Sequence, residues 1–170
     1  MKRFLLLLIT VISLSASAQT SEPVLKFGFL SYEAVLTSMP EYATVEQGMK
    51  DLEAQYAAEQ KRVEDEFNKK YEEFLDGQRD FPQTILQKRQ SELQELLDKN
   101  IAFKKEGQRL LAEAHEKALL PLKNRLASAL ASVGSSKGLA FIVNTDQNAL
   151  PWLNITMGED VTDAVKAALK

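Results

Sequence analysis

The chain has no cysteine, and among its 170 residues it carries one histidine and one tryptophan. Without cysteine there is no disulfide framework and no thiol nucleophile, so packing alone must hold the fold. A lone His115 has no second histidine or thiol with which to build a zinc site or a nucleophile relay. It stands among Glu113, Glu116 and Lys117 and reads as a surface side chain. Basic excess is missing as well: 21 lysines and arginines face 24 aspartates and glutamates, a formal charge of −3. A nucleic-acid surface is therefore not expected. The acidic runs Glu64-Asp65-Glu66 and Glu72-Glu73 diverge around a helix axis and read as solvated faces rather than a metal site. Gly134 to Gly138 lacks the phosphate-loop pattern. No enzyme, cofactor or metal is expected.

A second long apolar run is also absent. The one present, Phe4 to Leu14, follows Lys2 and Arg3 and precedes Ala16-Ser17-Ala18. That order predicts a signal peptide over 1–18, cleaved near Ala18-Gln19. The mature protein is then expected to be soluble in the periplasm, with no lipid anchor because no cysteine borders the cleavage site.

What the chain does have is helical periodicity. Val45, Met49, Leu52, Tyr56 and Val63 recur at spacings of four, three, four and seven, the stripe of a helix lying along a partner. Asp76 to Pro82 then supplies a glycine and a proline at a turn. Leu86, Leu93, Leu96, Leu97 and Ile101, then Leu110, Leu111, Ala114 and Ala118, mark a return helix. The expectation is a hairpin over 42–120 with its tip near 76–82. Pro40 and Pro121 lie symmetrically about that tip and should stand level at its base, with Pro121 kinking the helix. Gly48 and Gly107 are unusual inside helices and could make the arms bend.

The remaining segments, 19–41 and 121–170, form a discontinuous body. Val24 to Leu30 reads as a strand running into a helix capped by Ser31. Leu122, Leu126, Leu130 and Val133 form an apolar stripe ended by Gly134 to Gly138. Leu139 to Asn144 reads as a second strand, buried on both faces. Trp152 to Ile155 add short extended pieces, and Thr162 caps a last helix. The fold class is α+β, mostly α. Two or three strands with open edges invite pairing with another copy. The expected oligomer core is Phe27, Phe29, Leu126, Leu130, Phe141 and Val143.

Between Asp51 and Asp80 there are ten acidic and five basic residues, and between Gln83 and Arg125 nine basic and six acidic. Arms so biased should attract. Asp65–Lys69, Glu66–Lys70, Glu95–Lys99 and Glu113–Lys117 are spaced for pairing along a helix. Above Val63 the stripe reaches Lys70 and is expected to break, leaving Phe67, Tyr71, Phe74 and Leu75 partly free for a partner or cavity.

In this order the residues resemble the OmpH/Skp family of periplasmic chaperones. The likeness rests on the export signal, the Lys26-Phe27-Gly28-Phe29 strand entering Ser31-Tyr32-Glu33, and the Met39-Pro40-Glu41 break. It continues through the charged hairpin and neck proline to the Gly138–Asn144 strand and the Asp160-Val161-Thr162-Asp163 ending. The resemblance implies a homotrimer, with a small β-rich oligomerisation body and three helical tentacles enclosing a cavity. It implies an ATP-independent holding chaperone for unfolded outer-membrane proteins. The client-binding candidates are Tyr56, Val63, Phe67, Tyr71, Phe74, Phe81, Ile85, Leu86 and Leu93. The best known members are basic, whereas this chain is acidic, which moves the expected attraction onto hydrophobic contact and leaves membrane-surface contact open. The alternative is a coiled-coil adaptor or spacer docking on one folded envelope partner.

Overall fold

The computed structural model describes residues 25–148 and 150–170, so the proposed signal peptide lies outside the described residues. Strand β1 (Phe27–Leu30) leads into α1 (Tyr32–Thr37), where Ser31 Oγ accepts from the Ala34 N–H at 3.0 Å as the expected cap. Two long helices follow, α2 (Pro40–Gly77) and α3 (Gln83–Lys137), then β2 (Phe141–Asn144), β3 (Glu159–Asp160) and α4 (Thr162–Ala168). At 1.5 Å per residue α2 extends about 57 Å and α3 about 80 Å. No described helix is long and apolar enough to cross a membrane.

Pro40 opens α2 at its first position, where a missing N–H costs nothing. Pro121 lies inside α3, which runs through it as one element. The helix also passes Gly134 and ends at Gly138, whose left-handed φ of 62° suits a glycine C-terminal to a helix. The Gly134-Ser135 step does not end it; the carbonyls of those two residues accept instead from the Leu139 and Gly138 N–H groups at 2.9 and 3.2 Å, closing the helix at Gly138. Gly77 has no such φ. It is needed because the Phe81 ring folds over it, so an added Cβ would sit 2.5 Å from Phe81 Cζ.

The sheet has the order β2-β1-β3, parallel throughout, with Phe27 opposite Phe141 and Phe29 opposite Val143. β1 alternates between two environments. Gly28 and Leu30 face the core, while Phe27 and Phe29 are half-buried on the other side. β2 is shorter than the expected Leu139–Asn144 strand, and it is an edge strand with Phe141 exposed rather than buried on both faces. The third strand comes from Glu159-Asp160, because Ile155–Met157 closes into a 3-10 turn. Nor does Thr162 cap α4. Asp160 Oδ1 accepts from the Thr162 N–H at 2.9 Å instead.

The core lies where α1, the root of α2, the lower third of α3 and α4 meet the sheet. Leu126, Val35, Val161 and Val165 are fully buried there, with Leu30, Met39, Leu119, Leu122 and Val133 around them. Arg125 fastens this junction. Its guanidinium bonds Glu41 at the start of α2 and donates to the Leu169 carbonyl at 3.0 Å. That contact holds the Glu41 carboxyl below its ordinary range.

A Cβ added at Gly48 would meet nothing within 4 Å, whereas Gly107 is buried against Tyr56. Gly48→Ala is expected to raise stability by up to ~1 kcal/mol through helix propensity. A higher urea midpoint with unchanged slope checks it.

Candidate functional site

The two arms touch along a seam that continues to the tip. Tyr56 packs on Phe103, ring centres 6.3 Å apart, and lies against Gly107, where a Cβ would be 3.1 Å from its ring. One step higher, Asn100 Nδ2 donates to the Val63 carbonyl at 3.1 Å, a polar contact in a half-buried place. Such a group favours one axial register of two helices. Near the tip Phe74 packs on Phe81 at 6.4 Å, and both line a cleft of about 60 Å³ with Leu93 and Leu96. The expected break above Val63 is thus confined to one level. There Lys70 of α2 and Arg89 of α3 occupy the heptad position and enter the lining of the same cleft.

This seam takes up most of the aromatics that the sequence offered for outside contact. Tyr56, Val63, Phe67, Phe74, Phe81, Leu86 and Leu93 are half-buried, and only Tyr71 and Ile85 of those candidates are exposed. Phe67 and Tyr71 stack on each other with centres 6.0 Å apart. Four further apolar side chains are exposed on the arms above the root: Leu75, Leu97, Ile101 and Leu110. Their spacing carried the signal. Asn100 is seven residues after Leu93 and in the seam, so Leu97 and Ile101 stand one residue off it and turn outward.

Charges pair along the arms more than between them. Glu66–Lys70, Glu95–Lys99 and Glu113–Lys117 form as spaced, while Asp65 is taken by Lys61 at 2.9 Å. Arg109 bonds both Glu106 and Glu113; its hydrogen bond holds the Glu106 carboxyl below the ordinary range, and those of Lys117 first and then Arg109 do the same for Glu113. Most basic side chains of the arms are therefore engaged within their own helix, and the excess acid of α2 and excess base of α3 make few direct contacts across the seam. The contacts across the arms between acidic and basic side chains among the described residues are the Glu46–His115 hydrogen bond and the Glu41–Arg125 ion pair, both at the root.

On the body, Phe27, Phe29, Phe141 and Val143 share the sheet face turned away from the core. Phe27 and Phe141 stack with centres 5.7 Å apart and planes within 7°. Phe141 is 51 % exposed, and Trp152 nearby in sequence is 78 % exposed, with Ile155 and Met157 also open. Leu126 is different: it is fully buried in the chain's own core, beyond reach of a second subunit, and Leu130 is half-buried against that core. No cluster of histidine, aspartate or glutamate suited to a metal occurs among the described residues.

The family described as outer membrane protein (OmpH-like) matches residues 26–169. No curated protein matches the chain. A crystal structure from Caulobacter crescentus CB15, described as an OmpH-like outer membrane chaperone, is similar with a TM-score of 0.62 at 19 % identity. The match covers 88 % of this chain and 85 % of that one, and at this identity it is a likeness of fold.

Proposed function

The chain belongs to the OmpH-like outer membrane protein family, and from that membership we propose that it is a periplasmic holding chaperone acting without nucleotide. Its clients are unfolded outer-membrane proteins, kept from aggregating between projecting helical arms. The observation that carries this reading is the set of exposed apolar side chains on the arms, Tyr71, Leu75, Ile85, Leu97, Ile101 and Leu110. They are spread from the lower third of the return arm to the tip, outside the seam between the two helices. Scattered apolar contacts suit many unfolded segments. A partner-specific adaptor would concentrate them in one patch with a well-packed centre.

Three copies joined through the bodies would complete the assembly. The outward sheet face and the open β2 edge support this arrangement, since unpaired backbone and clustered aromatics favour pairing with another chain.

The direct experiment dilutes urea-unfolded outer-membrane barrels into buffer with purified mature protein and no nucleotide, and follows light scattering. Suppression across several unrelated barrels is expected. Protection of a single folded partner, with none for the barrels, would establish the adaptor instead. Client affinity is expected to change less than about tenfold between low salt and 0.15 M, because apolar contact is not screened. A larger loss would move the binding surface to Arg89, Lys104, Lys105 and Arg109.

A further inference from the structure

The chain's single histidine does not stand on a free surface. It bridges the arms at their root. His115 Nε2 lies 2.8 Å from Glu46 Oε1, six residues before Pro121 on one arm and six after Pro40 on the other. The two side chains are 38 % and 35 % exposed. One turn below Glu46 on α2, Tyr42 packs against the body core. Burial first, and then the charge and hydrogen bond of Glu46, push its hydroxyl pKa up, with Glu33 of α1 adding to the effect. On α3 itself, Glu113 is occupied by Arg109 and Lys117, and Glu116 is tied to Lys123 at 2.7 Å. The ring thus faces an ionisable carboxylate on α2, while the carboxylates of its own helix are engaged by basic partners.

We propose that Glu46–His115 is a proton-operated fastening between the arms at the point where the hairpin leaves the body. A neutral ring contributes one N–H···O hydrogen bond across the arms. A protonated ring keeps that bond to the carboxylate and adds a full positive charge opposite it, turning the contact into an ion pair across the arms. Histidine is the side chain whose charge ordinarily changes between pH 5 and 8. Acidification tightens the root and alkaline conditions loosen it. Tyr42 connects the fastening to the core below. Above it α2 runs on to Gly77, about 45 Å further, so a small change in the root is carried into a larger displacement at the tip.

Hydrogen exchange of the purified protein tests this, with rates corrected for the intrinsic effect of pH. Segments 42–49 and 112–119 report the root, and 63–70 serves as internal reference. Root protection is expected to be about threefold greater at pH 6 than at pH 8, within the range for a partly exposed pair. His115→Gln retains an N–H donor without the charge and is expected to abolish the difference, as is Glu46→Gln. Glu116→Gln is expected to keep it. Equal protection of the wild-type root at both pH values would overturn the proposal. So would persistence of the difference in His115→Gln. Because exchange is read without any client, the outcome is independent of the holding function.

Discussion

Excising residues 60–80 and 81–101 and joining Glu59 to Ala102 through a designed short turn is expected to abolish holding of unfolded clients while leaving the body folded. Twenty-one residues leave each arm, six turns of 3.5, so the heptad phase below the cut is kept. Each arm shortens by about 30 Å. The exposed Tyr71, Leu75, Ile85, Leu97 and Ile101 go, together with the tip pair Phe74–Phe81 and the Asn100–Val63 contact. What remains is self-sufficient below the cut. Tyr56 still packs on Phe103 and Gly107, Glu46 still meets His115, and the core around Leu126 is untouched. Circular dichroism and light scattering on the same preparation separate the two effects. A shortened protein that suppressed aggregation at full efficiency would place client binding on the body.

Phe141→Asp is expected to dissociate the proposed assembly without unfolding the subunit. In one chain Phe141 is 51 % exposed, resting on Phe27 at an open sheet edge, so a carboxylate there remains hydrated. In a contact between bodies the same carboxylate is stripped of water with no partner among Phe27, Phe29 and Val143. That costs on the order of 3 kcal/mol or more, roughly a hundredfold weakening of each contact. Native mass spectrometry is expected to show monomer where the wild type is oligomeric, with a helical far-ultraviolet spectrum preserved. Leu126→Ala is the contrast. That side chain is fully buried within one chain, and its loss is expected to cost about 2–5 kcal/mol of subunit stability. An oligomer unaffected by Phe141→Asp, or a wild-type protein that is monomeric, would remove the sheet face from the assembly.

The hairpin follows from the linear order of residues alone. Apolar spacings of three, four and seven demand a helix that lies against another, and Pro40, after the break at Met39, suits the first turn of such a helix. The level of the two prolines also follows from sequence, since Glu46 and His115, each six residues inside them, are in contact. Ser31, the Phe27–Leu30 strand and the lower α3 core are legible because each is a local preference or a short-range pattern.

Which way each apolar side chain turns is set instead by packing between distant segments. Where two adjacent apolar residues compete for one seam position, as Phe74-Leu75 and Leu96-Leu97 do, only the partner helix decides between them, and the Asn100–Val63 bond and the Tyr56–Gly107 contact define that register. Once it is set, Phe74 and Phe81 belong to the seam while Leu97 and Ile101 face water. The sheet behaves in the same way. Composition marks Phe141 and Leu126 alike as apolar, but strand order places Phe141 on an open edge, and helix packing encloses Leu126. His115 reads as a free surface residue in the sequence because its partner is 69 positions away. Nothing local encodes that distance; only two helices folded back on each other bring the carboxylate to the ring.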